Sequence, residues 1–264
     1  MKKHVAIIGC GNLGQSILKG LIAEPSFAQT RVIATKRNLK SLEAFEKQGI
    51  EITSDNAKAV NDSDLILVAL KPHNILQTLN ELKHSFDPQR HLIISAATGI
   101  TIAQIQETIE TQTTIFRAMP NIAADVRESI TCICAKSPTE EDIKTVRTFF
   151  DSIGSTIIIT EDLMEAATVL GACGVAYVLR FIRAMIQGGI QIGFDVDTAS
   201  KIVNQTVKGA AELLIAKGQH PEFEIDKVTT PKGCTIAGLN EMEHNGFSSS
   251  LIKGILASFH KIEK

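Results

Sequence analysis

Along the first 160 residues, short apolar runs alternate with segments of helical spacing. Val5–Gly9 is a brief apolar run closed by glycines, and Leu13–Ala23 then repeats its apolar residues at helical intervals. Arg31–Thr35 reads as a β-branched strand, and Leu39–Gln48 as a helix stopped by Gly49. Asp64–Leu70 and His91–Ala97 are unbroken apolar runs, the pattern of strands buried on both faces. Helices are predicted over Ile75–Phe86, Thr101–Ile109 and Glu140–Ile153, the last with acids in its first turn. Thr113–Met119, Ile130–Ala135 and Ser155–Thr160 complete the strands. This alternation predicts an α/β fold: a doubly wound, mostly parallel sheet with helices on both faces.

After Glu161 the strands stop. Glu161–Gly193 and Thr198–Gly218 read as long helices, the first about 50 Å long if continuous. Two more helices are predicted near Thr235–His244 and Ser248–Ile262. The expected division is therefore a dinucleotide-binding domain, residues 1–160, and an all-helical domain, residues 161–264, joined directly near residues 160–164. The helical part holds 11 of the 18 glycines. Gly171, Gly174, Gly188, Gly189 and Gly209 lie inside helical patterns, where each costs about 1 kcal/mol relative to Ala. Close helix–helix approach is the simplest use of that cost. A helical segment of this size with an apolar seam is expected to close its core only against another subunit.

Composition narrows the class. The chain is 44% hydrophobic and 21% charged, which excludes wholesale disorder. A net charge of −2, one Tyr and no Trp argue against a nucleic-acid binder. The longest apolar run, Val169–Leu179 with Gly counted as apolar, is too short for a membrane span, so no membrane partner is expected. Met1–Gly9 imitates a signal peptide, but Asn12 and Gln15 break the run and no small-residue cleavage site follows. The five scattered cysteines, Cys10, Cys132, Cys134, Cys173 and Cys234, lack a CxxC pair or an ordered His cluster. They read as reduced thiols of a cytoplasmic protein, with no metal site.

Gly9-Cys10-Gly11-Asn12-Leu13-Gly14 is GxGxxG, placed between a predicted strand and a predicted helix. Gly9 permits the tight turn, Gly11 lets the backbone approach a pyrophosphate, and Gly14 lets helix and strand pack closely. The helix N-terminus offers unpaired N–H groups to phosphate. At the end of the second strand, an acid would bind a ribose 2′-hydroxyl. Here the chain reads Thr35-Lys36-Arg37-Asn38 instead. A planar guanidinium suits a 2′-phosphate, so NADPH is expected, with NADH the alternative cofactor. Further contacts are expected at the carboxyl ends of later strands: Leu70-Lys71-Pro72, the small residues Ala96 and Ala97, and Met119-Pro120-Asn121.

Together with the Ala176-Tyr177 pair, Gln219-His220-Pro221 and Thr230-Pro231-Lys232-Gly233-Cys234-Thr235, these motifs resemble the pyrroline-5-carboxylate reductases over nearly the whole chain. The last block resembles that family's Ser-Pro-Gly-Gly-x-Thr signature. The resemblance implies a Rossmann domain followed by a helical dimerisation domain. It implies NAD(P)H-dependent reduction of a cyclic imino acid, L-1-pyrroline-5-carboxylate, to L-proline. It also implies a homodimer at least, and in many members a decamer of five dimers. Asn121 then joins the cofactor contacts. Met119, Pro120, Thr230, Gly233, Cys234 and Thr235 face the substrate. Thr235 matches the threonine that hydrogen-bonds the ring nitrogen, with helix N-capping as its bland alternative. Tyr177 is expected to be a packed, hydrogen-bonded tyrosine, and His220 a loop or interface residue.

Four departures stand out. Val175 replaces a proline, Lys232 replaces the first glycine of the Gly-Gly pair, Ile122-Ala123 replace Thr-Pro, and Thr230 replaces a serine. If position 232 needs a positive φ, Lys there is strained. These changes keep two alternatives open: a reductase of another cyclic imine, and a non-catalytic NADP-binding scaffold or sensor. A β-hydroxyacid dehydrogenase would need a catalytic Lys on the long helix, and none lies between Glu161 and Gly193.

Overall fold

The structure, a computed structural model, describes residues 4–262, apart from the side chain of Ser26. Residues 1–3 of the apolar opening, and the last two residues of the predicted helical domain, lie outside that range. The chain forms two compact units. One runs up to Cys173 and is rejoined from Phe259 onward; the other is Gly174–Ser258.

The first unit is built on one eight-stranded sheet. Its strands are β1 (Val5–Ile8), β2 (Val32–Thr35), β3 (Glu51–Thr53), β4 (Leu65–Val68), β5 (Leu92–Ser95), β6 (Thr114–Met119), β7 (Ser129–Ala135) and β8 (Gly154–Ile158). Their order is β3-β2-β1-β4-β5-β6-β7-β8. The first six are parallel; β7 pairs antiparallel with β6, and β8 parallel with β7. Intervening α-helices are α1 (Asn12–Ala23), α2 (Glu43–Glu46), α3 (Asn56–Asn61), α4 (Pro72–Leu82), α5 (Ile102–Ile109) and α6 (Glu140–Asp151).

The unbroken apolar runs now have a physical reason. Side chains alternate across the sheet, and each face has its own core. Val5, Ile7, Leu65, Leu67, Leu92 and Ile94 pack on one face with Ile17, Leu18, Phe149 and Phe150. Ala6, Ile8, Ile66, Val68 and Ile93 pack on the other with Ile75, Leu79, Ile102 and Ile105. Each fully buried Ile or Leu contributes roughly 1.5–3 kcal/mol.

Capping fixes several helix starts. Thr101 with Gln104, and Thr139 with Asp142, form reciprocal capping boxes at α5 and α6. Among the strands and α-helices of this unit, β3 and α3 were not predicted. The predicted helix over Leu39–Gln48 is a 3₁₀ turn, Leu39–Leu42, followed by the single turn of α2. Gly49 stops it with φ +90°.

His91, just before β5, is buried, and its Nδ1 accepts a hydrogen bond from the Asp87 amide at 3.0 Å. Burial, helped by the nearby Arg90 charge, holds its pKa below the ordinary 6.5. The unfolded chain therefore takes up a proton that the folded chain refuses. Stability is expected to fall as pH drops below about 6.5. His91→Gln should flatten that slope in denaturant titrations at stepped pH; an unchanged slope contradicts this assignment.

From Glu161 the chain is helical through Gln191: a 3₁₀ turn (Glu161–Leu163), α7 (Met164–Ala167), a π-helical stretch (Thr168–Cys173) and α8 (Gly174–Gln191). By length and composition this helix is apolar enough to cross a membrane, although no single run is long. The run-length expectation missed this because isolated polar residues such as Arg180 interrupt an otherwise apolar stretch.

The second unit continues with α9 (Val196–Lys217), α10 (Pro221–Val228), α11 (Cys234–His244) and α12 (Phe247–Ile262), which ends in the first unit. Gly189 allows a close approach, since a Cβ there would lie 3.1 Å from that of Ala199; Gly188 and Gly209 face open space. Ala199 and Val203 are its buried apolar residues, while Leu179, Ile192, Ile215 and Leu256 are exposed. The apolar seam is thus left open within one protomer, as expected of a segment completed by another subunit.

Candidate active site

The glycine loop is set by β1 and α1. Gly9 has φ +84°, and a Cβ there would run into the Leu70 side chain. Gly9 N–H donates to Thr35 Oγ1 at 3.1 Å, and Cys10 N–H to the Thr35 carbonyl at 2.7 Å. Gly11 caps α1 without any side-chain hydrogen bond, so the first-turn N–H groups of Asn12 and Leu13 have no partner among the described residues. A Cβ at Gly14 would lie 3.2 Å from Cys10 Sγ, which accounts for glycine at this helix–strand contact. Burial pushes the Cys10 thiol up to about 12 against the lowering charge of Lys36, so it stays protonated and inert.

A cleft of about 420 Å³ opens over this loop. Gly9, Gly11, Thr35, Lys36, Arg37, Asn38, Leu70 and Lys71 all line it. Three cations stand on its rim and no carboxylate does. Lys36 Nζ donates to Ser41 Oγ at 2.6 Å, whereas Arg37 is exposed without an ion pair among the described residues. Asn38 caps the following turn by accepting from the Lys40 amide. Ser54, Asn56, Ala69 and Asn74 also line the cleft and were missed. Ser54 and Asn56 follow the unpredicted β3; the Asp55 cap of α3 was the available signal. A larger hollow of about 730 Å³ runs along α5, bordered by Glu107, Glu110 and Lys136. Its carboxylates and lack of a glycine loop make it a poor phosphate site.

Pro72 is the first residue of α4, where its missing N–H is harmless. Ala96 and Ala97 sit buried where β5 leaves the sheet, outside the lining of the cleft. Met119, Pro120 and Asn121 are buried at the end of β6. Met119 packs in the core, and the Asn121 side chain is hydrogen-bonded to Ala123 N–H and the Gly171 carbonyl.

In the helical unit, Thr230–Gly233 is a tight turn closed by Gly233 N–H on the Thr230 carbonyl at 2.9 Å. Pro231 takes its second position, and Lys232 its third with φ +60°. The strain expected of a lysine there is present. Lys232→Gly should stabilise the protein by about 1 kcal/mol, raising Tm by about 2–4 °C in a thermal melt. An unchanged or lower Tm contradicts the strain.

Gly233 is the N-cap of α11, with Cys234 and Thr235 its first two helical residues. The capping alternative for Thr235 therefore fails: that position belongs to Gly233. The half-buried Thr235 hydroxyl has no partner among the described residues. Cys234 is exposed, unlike the packed thiols Cys10 and Cys134. The half-buried Tyr177 pairs through its Oη with Ser258 Oγ at 2.5 Å, the hydrogen bond expected of it. His220 caps α10, its Nδ1 accepting from Glu222 N–H at 3.3 Å.

The family profile described as pyrroline-5-carboxylate reductase dimerisation matches residues 161–264. That described as NADP oxidoreductase coenzyme F420-dependent matches residues 4–99. Pyrroline-5-carboxylate reductase 1 of Dictyostelium discoideum is 42% identical over 97% of this chain, which spans 49% of that longer protein. Pyrroline-5-carboxylate reductase 2 of the same organism is 40% identical, covering 99% of this chain and 93% of the relative. The crystal structure of Plasmodium falciparum pyrroline carboxylate reductase with NADP bound superposes with a TM-score of 0.89 at 26% identity, covering 98% of this chain and 97% of that one. The chain belongs to the pyrroline-5-carboxylate reductase family.

Proposed function

We infer that the protein is an oxidoreductase that reduces L-1-pyrroline-5-carboxylate to L-proline with NADPH. The observation that carries this reading, in a chain of this family, is the cleft over the glycine loop with its three cations and no acid. Such a rim suits a dinucleotide bearing a 2′-phosphate and disfavours a bare ribose diol.

NADPH, when bound, supplies the hydride for the imine carbon. The chain's own residues bind and orient. The backbone of Gly9, Gly11, Asn12, Leu13 and Gly14 cradles the pyrophosphate, with Leu70, Lys71 and Pro72 alongside. Thr35, Lys36, Arg37 and Asn38 hold the 2′-phosphate end. Ala96, Ala97 and Asn121 shape the edge at which the cofactor's reactive end belongs. The unpaired Thr235 hydroxyl hydrogen-bonds the imine nitrogen, which must carry a proton to accept hydride. N–H groups of Cys234 and Thr235 receive the substrate carboxylate beside Thr230, while Gly233, whose own N–H closes the turn, caps the helix that presents them. In the sheet unit, Met119 and Pro120 are the residues assigned to the substrate. Positioning and exclusion of water supply most of the acceleration.

We read residues 1–160 as the dinucleotide domain and 161–264 as the substrate and dimerisation domain. The exposed apolar helix Glu161–Gln191 serves subunit contact rather than a membrane. The assembly is a homodimer at least, with a decamer of five dimers as its larger form. The unpaired cysteines support a cytoplasmic location, and neither nucleic acid nor membrane is a partner. Incubation with the imine and NADPH should accumulate L-proline, identified by chiral chromatography. Substrate returned unchanged would overturn the assignment.

A further inference from the structure

The end of β6 is tied to the long helix in a way the expected contacts of Asn121 do not explain. Four polar groups of Asn121 are engaged. Its N–H donates to Ser129 Oγ at 3.0 Å, and its carbonyl accepts from Ala124 N–H at 3.2 Å. Its Oδ1 accepts from Ala123 N–H at 2.9 Å, and its Nδ2 donates to the Gly171 carbonyl at 2.9 Å. Gly171 lies inside the π-helical stretch Thr168–Cys173. A π-turn widens the helix and disturbs the regular i→i−4 ladder, letting a carbonyl tilt toward an outside donor. A Cβ at Gly171 would lie 3.4 Å from Ile130 Cγ2, so glycine brings the helix close to β7.

A second tie lies beside the first. Arg117 on β6, almost fully buried, bridges Glu161 at 3.3 Å and Glu165 at 2.8 Å. Glu161 also accepts from the Ile102 N–H at the start of α5 at 2.7 Å. The tip of β6 is thus held at residues 117 and 121 to the helix at residues 161, 165 and 171. Between the two holds, the helix changes from α to π.

We propose that Asn121 is a positioning residue that locks the carboxyl end of β6, with Met119 and Pro120, onto the π-turn at Gly171. The role rests on the reductase reading above, in which this edge shapes the place of hydride transfer. Small displacements there raise the barrier steeply, while the pyrophosphate and 2′-phosphate contacts lie elsewhere on the sheet edge.

Asn121→Ala in the full-length protein tests it, measured well below its Tm. The expected result is a kcat about tenfold lower or more, with NADPH affinity by fluorescence titration within about twofold of wild type. Asn121→Asp should behave alike, because it keeps the acceptor for Ala123 but turns an oxygen toward the Gly171 carbonyl. An unchanged kcat overturns the proposal whatever happens to Tm. So does a parallel fall in kcat and NADPH affinity, which would make Asn121 a cofactor contact. If these variants do not fold, Ser129→Ala, which removes one tether, should give the same split in smaller measure, and its absence overturns the proposal. Amide hydrogen exchange on the same samples separates failure of the lock from failure of the reductase reading. Residues 122–129 and 168–174 should lose protection together while β1, β4 and β5 keep theirs. Independent behaviour of the two segments overturns the lock even if the wild-type chain reduces no imine.

Discussion

Replacing Arg37 by Ala lowers kcat/KM for NADPH by about 10- to 100-fold and leaves the value for NADH nearly unchanged. The magnitude follows from losing a charge-assisted hydrogen bond to a dianion, about 1.5–3 kcal/mol. Arg37 is the side chain to remove because Lys36 is already engaged by Ser41, while Arg37 stands exposed on the rim. Exposure also means screening, so the loss should shrink as salt is raised. Initial rates with both cofactors at two ionic strengths provide the check. An unchanged NADPH-to-NADH ratio removes Arg37 from cofactor selection.

Thr235→Ala lowers kcat/KM for the imine about 100-fold, with NADPH affinity unchanged. The hydroxyl is unpartnered in the helical unit, and Gly233 already caps the helix, so the substitution breaks no cap. What is lost is the hydroxyl oxygen that accepts from the protonated imine N–H, a contact the neutral imine free in solution does not make, and an effect of this size follows when it is made chiefly in the transition state. Thr235→Ser, which keeps the hydroxyl, should retain most activity. Steady-state rates with a parallel binding titration decide it; an Ala variant as active as wild type contradicts the role.

The sheet was legible because two-faced burial writes continuous apolar runs, as in Leu65–Val68 and Leu92–Ser95. The glycine loop was legible because Gly9 needs a positive φ and Gly14 needs close packing, and no other residue meets both demands cheaply. β3 escaped because three half-buried residues, Glu51–Thr53, carry too little periodicity to register. The Arg117 bridge escaped because its partners lie more than forty residues away in sequence, and nothing local marks Arg117 as buried. The π-turn escaped because an apolar helix of 3.6 or of wider period looks alike over six residues. The strain at Lys232 was legible only through the resemblance, which put a glycine where the turn requires φ of +60°.

The measurement that bears most directly on the whole account is the initial rate of NADPH oxidation, followed by its absorbance, with pyrroline-5-carboxylate as acceptor and NADH in parallel. The account predicts enzyme-like turnover that depends on the imine and is faster with NADPH. Tight NADPH binding with no imine-dependent turnover would contradict it and leave a dinucleotide-binding scaffold in its place.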